Sequence, residues 1–418
     1  MILGGERLLR RDWKMFTLLN FLWAFGFAVY SGVFQNYLRD VMHSGPLMLG
    51  GLESLREVPG LLAAIMAGTL VALAESRVAG LGLLITSFGI GVTGLAPDWA
   101  AHFVHADASA AQLVTTRYVL LIGVTVLWSI GFHLWASVSS AITLALAKGI
   151  EGGRHLGRMN AVGSIATLAA LALACLMAPA LPRIGYNPFF YLAGSCIFAA
   201  SMLCMRLSTH AEGGQRARII LRREYGLYYL LTFLEGCRRQ IFSIFASFAL
   251  IIVYKVPLGP MLILQFINAI LITFTAPAIG RMVDRNGERG PLTFYSVGLI
   301  AVFLGYASVR TIVVAMGYSA DKAVWALFAL FLIDNVLFSF GIGFTTYLHR
   351  IVRPGELTPC LSMGVTMNHI AAVTVPVGGA WLWQHSNNYE LPFWVGVAIA
   401  AVSLVATRWL PRGARGLA

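Results

Sequence analysis

The sequence predicts an all-α integral membrane protein of twelve transmembrane helices in two six-helix halves. Three observations predict it. The chain has 418 residues, 58% of them hydrophobic and only 11% charged, where a soluble domain carries about 25% charged residues. Twelve segments approach or exceed the roughly 20 apolar residues that cross a bilayer. Short sequence matches also recur at an offset close to half the chain. No polar stretch is long enough to form a separate soluble module.

The spans are expected at residues 13–38, 46–74, 78–97, 116–147, 159–181, 188–207, 225–253, 259–282, 291–314, 322–348, 359–384 and 391–410. Span 1 follows directly on a basic stretch, Met1 to Lys14, with no small-residue cleavage site, so no signal peptide is expected. Span 2 opens at Gly45 and Pro46 and carries Glu53, Arg56 and Glu57 inside its apolar run. Span 4 holds a central histidine, His133. Span 5 has Pro179 as its only proline near the end. A basic linker, Arg206 to Arg223, then divides the chain into residues 1–207, a linker at 208–223, and 224–418. Span 7 carries the second charged cluster, Glu235, Arg238 and Arg239, followed by Gln240. Span 8 opens at Gly259 and Pro260, and span 10 contains Asp334 and Asn335. Span 11 carries Asn368 and His369, then Val375, Pro376, Val377, Gly378 and Gly379, a kinkable small-residue stretch suited to close helix packing.

Loop charge sets the expected orientation, because Lys and Arg collect on the cytoplasmic side. With the N-terminus inside, most of the 30 Lys and Arg residues fall in inner segments and only Arg39, Arg117, Arg183, Lys255, Arg310 and Lys322 fall outside. Both termini are therefore expected in the cytoplasm, the membrane being a bacterial inner membrane. The same bias explains the net charge of +12 without nucleic acid. The five cysteines are scattered, with no CxxC or Cys/His metal spacing, so neither a disulfide framework nor a zinc site is indicated. No nucleophile–base pair or phosphate loop is present, so no enzyme activity or cofactor is expected.

The repeat supports two halves. Phe21 and Leu22 match Phe233 and Leu234, and Ser31 matches Ser243, at an offset of 212. Gly45 and Pro46 match Gly259 and Pro260 at 214, and Gly68 matches Gly280 at 212. In spans 4 and 10, Ile130, Gly131 and Phe132 match Ile342, Gly343 and Phe344, again at 212.

Between spans 8 and 9 lie Gly280, Asp284, Arg285, Gly287 and Arg289. Their spacing resembles the G-x-x-x-D-R-x-G-x-R loop signature of the major facilitator superfamily, at one of the two places where that family carries it. At the other place, between spans 2 and 3, this chain keeps Gly68 and Arg77 but has Ala72 at the acidic position, with Glu75 nearby. The resemblance implies two pseudo-symmetric six-helix bundles, lined at a central cavity by spans 1, 4, 7 and 10, that rock to open it to alternate sides. It also implies a monomer in the lipid bilayer. In that reading the glycines permit close approach, the acid caps or pairs with a helix end, and the arginines anchor the cytoplasmic face.

Charge inside a bilayer costs roughly 2.5–3.5 kcal/mol even on insertion scales, so the two clusters are the first candidates for function. At 1.5 Å per residue, Glu235, Arg238, Arg239, Gln240, Asp334, Asn335 and His133 fall near the midplane, with Asn20 contributed by span 1. Glu53, Arg56 and Glu57 share one helix face and lie toward the outer side. Arg238 and Arg239 differ by about 100° around their helix. One is expected to bind Glu235, and the other to face substrate or a partner acid such as Asp334 or Glu57. Adjacent arginines suit an anionic or zwitterionic solute. Glu53, Arg56, Glu57 and His369 are candidates for proton coupling or gating. His133 and His369 are suited to carrying protons or binding a metal, though a hydrogen-bonded packing role fits a lone intramembrane histidine at least as well.

The sequence thus points to a secondary active transporter, proton-coupled, moving a small polar anionic or zwitterionic organic solute. Export of a drug-like or lipophilic compound is the alternative, weakened because span 5 lacks the G-x-x-x-G-P-x-x-G-G pattern of the family's drug antiporters. A non-transporting sensor or scaffold would instead have a sealed centre with every charge paired.

Overall fold

The structure, a computed structural model, describes residues 2–62, 74–104, 109–146, 152–208, 221–353 and 356–411. Every described regular element is helical. Span 1 is Ile2–Asp40, span 2 begins as Pro46–Leu61, span 3 is Glu75–Val92, and span 4 is Ala110–Leu146. Span 5 is Gly152–Met177 and span 6 is Asn187–Met205. Span 8 is Leu258–Asn286, span 9 Arg289–Ala315, span 11 Leu357–Ser386 and span 12 Leu391–Thr407. Spans 7 and 10 are broken. Span 7 runs as Gly226–Gln240, a π-helical turn at Ile241–Ala246, then Ser247–Ile252. Span 10 is Ala323–Phe338, a 3₁₀ turn at Ser339–Gly341, then Ile342–Ile351.

Among the described residues, nine helices are long and apolar enough to cross a membrane, and Leu391–Thr407 is a shorter apolar one. Spans 2 and 7 are not among them. They are the two that carry the charged clusters, and span 7 is also cut by its π turn. The chain is an integral, multi-pass membrane protein.

Two compact units emerge from the chain's own contacts. The first gathers Met1–His43, Val58–Arg216 and Leu258–Phe266; the second gathers Ser44–Glu57, Ala217–Pro257 and Ile267–Ala418. The opening of span 2 thus groups with the second unit and the opening of span 8 with the first, exchanges that a cut at the linker alone does not contain. Both have a packing reason. A Cβ on Gly50 would stand 2.4 Å from Ala380 Cβ and from the Pro376 carbonyl oxygen, both in span 11. Span 8 approaches span 1 where Gly32 faces Leu262, and the Gln265 amide donates to the Gly32 carbonyl at 3.5 Å.

The internal repeat is visible as packing. In the first unit span 3 packs on spans 4 and 6, and span 1 on spans 5 and 6; in the second, span 9 packs on spans 10 and 12, and span 7 on spans 11 and 12. Every pair maps onto its counterpart six spans later. The matched glycines sit at matched contacts. A Cβ on Gly131 would lie 2.2 Å from the Gly82 carbonyl oxygen, and one on Gly343 would lie 3.1 Å from the Leu292 side chain. Absence of a side chain is what lets each helix pair close at that point.

This contact gives a test. Gly131→Ala meets backbone that cannot yield and is expected to cost about 1–3 kcal/mol, read as a lowered melting temperature of the purified protein. Gly157, where an added Cβ would meet nothing within 4 Å, supplies the control. Gly157→Ala is expected to leave the melting temperature unchanged or raise it through helix propensity.

Candidate functional site: an intramembrane charge network

The charge network lies within the second unit. The π turn follows directly on the charged cluster of span 7. Such turns are rare and favour functional sites. Gly236 and Gly364 remove side chains where spans 7 and 11 cross: a Cβ on Gly236 would stand 2.8 Å from Asn368 Oδ1, and one on Gly364 would stand 2.3 Å from the Tyr228 hydroxyl oxygen. This crossing brings the Glu235–Arg238 turn beside Asn368 and Ala371.

Arg238 is the centre of the arrangement. Its side chain is only 2% exposed. Nε donates to both Glu235 carboxylate oxygens at 3.2 Å, and Nη2 donates to Oε1 at 2.8 Å. Nη1 donates to Asp334 of span 10 at 3.1 and 3.2 Å. One guanidinium therefore forks between two buried carboxylates, the planar bidentate recognition that arginine permits and lysine does not. Tyr295 of span 9 donates its hydroxyl to Glu235 Oε2. The guanidinium carbon stands 5.5 Å from the Tyr295 ring centre and 5.2 Å from that of Phe338. Spans 7, 9 and 10 are thus tied at one depth.

Arg239 is placed differently. It is the middle residue of the run Gly226–Ile252 and its side chain is exposed, although much protein surrounds it. Its guanidinium lies 5.1 Å from the same Phe338 ring, a favourable cation–π distance. The charges of Glu57 and Arg56 also act on it. Tyr295 and Phe338 were not among the residues expected from the sequence. Tyr295 carries only a weak signal, a hydroxyl in an apolar span; Phe338 is one turn beyond Asp334.

The span 2 cluster is equally built. Arg56 Nη1 pairs with Glu53 at 2.6 Å and Nη2 with Glu57 at 2.8 Å. Glu57 also faces His369 Nδ1 at 3.2 Å. Glu53 is 3% exposed, whereas Arg56 is 26% exposed and reachable. In the second unit, then, four carboxylates (Glu53, Glu57, Glu235 and Asp334) meet three guanidiniums (Arg56, Arg238 and Arg239). Arg238 is thus engaged by two acids at once, Glu235 and Asp334.

The remaining candidates have local roles. Asn335 donates to the Phe331 carbonyl of its own helix at 2.8 Å, and Asn368 to Gly364 at 3.4 Å. Gln240 is half-buried at the junction with the π turn. In the first unit, Asn20 donates to the Met159 carbonyl at 3.0 Å, tying span 1 to span 5. His133 is buried there, its Nδ1 bonded to the Ser129 carbonyl at 2.8 Å.

The loop signature is partly re-read. Gly287 sits at φ 72° beyond the end of span 8, a left-handed conformation that favours glycine. Arg289 donates to the Leu410 carbonyl at 3.4 Å. Asp284 and Arg285 are exposed and enter no ion pair among the described residues. The pairing acid is instead Glu288, which is buried and meets Arg350 of span 10 at 2.8 Å. Gly280 is uncrowded, its nearest neighbour for a Cβ being Ile342 at 4.0 Å. Arg77 is exposed at the start of span 3, and Gly68 lies outside the described residues. At the start of span 11, Glu356 accepts from Arg222 at 2.7 Å and from the Tyr225 hydroxyl at 2.6 Å, while Arg353 pairs with Glu224 at 2.7 Å. The hydrogen bond from Arg222, with that from Tyr225, holds the Glu356 carboxyl below the usual carboxylate range.

Two measurements probe these contacts. Arg238→Gln strands two buried carboxylates and is expected to cost about 3–5 kcal/mol, whereas Asp334→Asn leaves a balanced Arg238–Glu235 pair and should lower the melting temperature much less. Equal losses would contradict the forked arrangement. For Glu356, whose pKa is depressed on folding, the stabilisation is present above the ordinary carboxylate value of about 4.3 and is lost as pH falls below it. The melting-temperature gap between wild type and Glu356→Gln should therefore close on acidification from neutral pH.

No family model matches the sequence, and no curated protein matches it. Solved structures do. A mutant of the nucleoside transporter NupG aligns with TM-score 0.74 and 13% identity over 96% of this chain and 99% of that one. A bacterial homologue of the iron transporter ferroportin, in an inward-facing state, aligns with TM-score 0.72 and 15% identity over 96% and 99%. The xylose transporter XylE from E. coli, in an inward open conformation, aligns with TM-score 0.65 and 14% identity over 98% and 97%. Twelve spans, a packing pattern that repeats after six, and full-length alignment with these transporters lead to one conclusion: this chain has the major facilitator superfamily fold.

Proposed function

We propose that the protein is a secondary active transporter that works by alternating access, couples to protons, and moves a small polar solute bearing negative charge. The observation that carries this reading is the intramembrane set of four carboxylates and three arginines. Like charges at this depth are not left unbalanced, so the set requires one more positive charge. A proton on His369 or on one of the carboxyls supplies it, and an anionic substrate, which adds negative charge of its own, would bind with that proton retained. The structural neighbours include a nucleoside transporter, a homologue of an iron transporter and a xylose–proton symporter, and the same fold suits this role.

Arg239 is the group we assign to the substrate. A guanidinium at mid-span facing lipid is costly, and Arg239 is accessible and already oriented by Phe338. It can grip a carboxylate or phosphate with two parallel bonds. Arg238, enclosed by Glu235, Asp334 and Tyr295, holds the helices and the proton balance instead. A sensor or scaffold with every charge paired fits less well, because Arg239 remains accessible. The topology that goes with the proposal has both termini in the cytoplasm of a bacterial cell, in the inner membrane, with the chain acting as a monomer.

A ligand-induced melting screen against organic anions, amino acids, nucleosides, sugars and lipophilic cations tests the substrate class. Anionic or zwitterionic solutes should stabilise the wild type, with the effect lost in Arg239→Gln and partly kept in Arg239→Lys. Stabilisation only by lipophilic cations, retained in Arg239→Gln, overturns the assignment. For coupling, proteoliposomes loaded with a pH-sensitive dye should show proton flux driven by the stabilising solute. That flux should fall by about tenfold or more in Glu57→Gln, in line with the loss of a positioned proton carrier. Solute uptake with no accompanying proton movement excludes coupling.

A further inference from the structure

The first unit carries a groove of about 400 Å³ between the starts of spans 1 and 5. Trp13 stacks edge-on against His155 at 4.7 Å, Asn20 reaches Met159, and a Cβ on Gly163 would stand 3.9 Å from Ala24. These pairs advance together along both helices, so the helices run parallel. Lys14 lies on one wall and Arg158 on the other, and both are exposed. One and two turns further along each helix come Leu18 and Phe21, and Val162 and Ile165. Both walls therefore present a cation at the mouth and apolar side chains deeper in.

We propose that this groove binds an anionic glycerophospholipid, its phosphate between Lys14 and Arg158 and an acyl chain along Leu18, Phe21, Val162 and Ile165. Three features favour this occupant. No acid lines the groove, and neither cation enters an ion pair among the described residues. The apolar walls are uncovered: Leu18 is 51% and Ile165 61% exposed. The nearby Thr17 hydroxyl is already committed to the Trp13 carbonyl at 2.8 Å, so recognition falls to charge and apolar contact. Seven residues of helix separate each cation from the last apolar residue of its wall, roughly 10 Å, a reach that a tail fills and a soluble anion does not. Basic residues at the membrane surface are the expected readers of anionic headgroups.

Native mass spectrometry of the full chain in detergent tests the proposal, with phosphatidylglycerol, phosphatidylcholine of the same acyl chains, and glycerol 3-phosphate as probes. Phosphatidylglycerol should be retained at lower concentration than phosphatidylcholine. Lys14→Gln with Arg158→Gln should weaken that retention by about tenfold or more, while Lys14→Arg with Arg158→Lys should keep it. Leu18→Asn with Ile165→Asn should give a comparable loss through the tail contact alone. Equal retention of the two lipids, unchanged retention in the neutral double variant, or glycerol 3-phosphate binding as tightly as the lipid would each overturn it, the last in favour of a soluble-anion site.

Discussion

A charged side chain inside a bilayer has no water to satisfy it, so the chain must supply the partners itself. Arg238 is where this constraint is most concentrated. Its five donors are a fixed fork, and the structure fills that fork from two helices, with Glu235 along one edge and Asp334 at Nη1. Tyr295 then satisfies the remaining side of Glu235. Removing Arg238 strands both carboxylates, and its contacts with Glu235 and Asp334, with that of Tyr295, are what hold spans 7, 9 and 10 in one register. Such a network adds little net stability over an apolar core of the same volume. Its effect is to fix which helices meet and at what depth.

Glycine does the complementary work. Gly50 against Pro376 and Ala380, Gly131 against Gly82, and Gly236 against Asn368 each let backbone approach where a methyl group would collide. In membranes, association depends on such close packing because lipid is as apolar as leucine. Polar fixation and glycine contact meet on span 11. Its Asn368 touches the charged turn of span 7, its His369 faces Glu57, and its Pro376 seats span 2. Through one helix the two charged clusters, distant in sequence, come into the same unit.

The spans and the two clusters were legible because hydropathy and charge are local properties of a sequence. So was the different placement of the adjacent arginines, since a 100° step around a helix cannot aim both at one point; Arg238 is buried and Arg239 exposed. What stayed hidden depended on partners far along the chain. Asp334 was one of two candidate partners for an arginine, but nothing local shows that Arg238 binds Glu235 and Asp334 at once. Tyr295, Phe338 and Glu288 each acquire meaning only from a neighbouring helix. The loop signature drew attention to Asp284, while burial and pairing single out Glu288.

The π turn at Ile241–Ala246 has a consequence for how the two halves correspond. Ser31 and Ser243 keep the offset of 212, but Gly45 and Gly259 stand 214 apart. The lengthening falls between Ser243 and Gly259, an interval that includes half of the wide turn. An i→i+5 turn takes up one residue more than an α turn. The turn thus takes up one of the two added residues, and span 7 has a joint beside its charges, with Phe245 set against Gly379, where span 1 runs continuous.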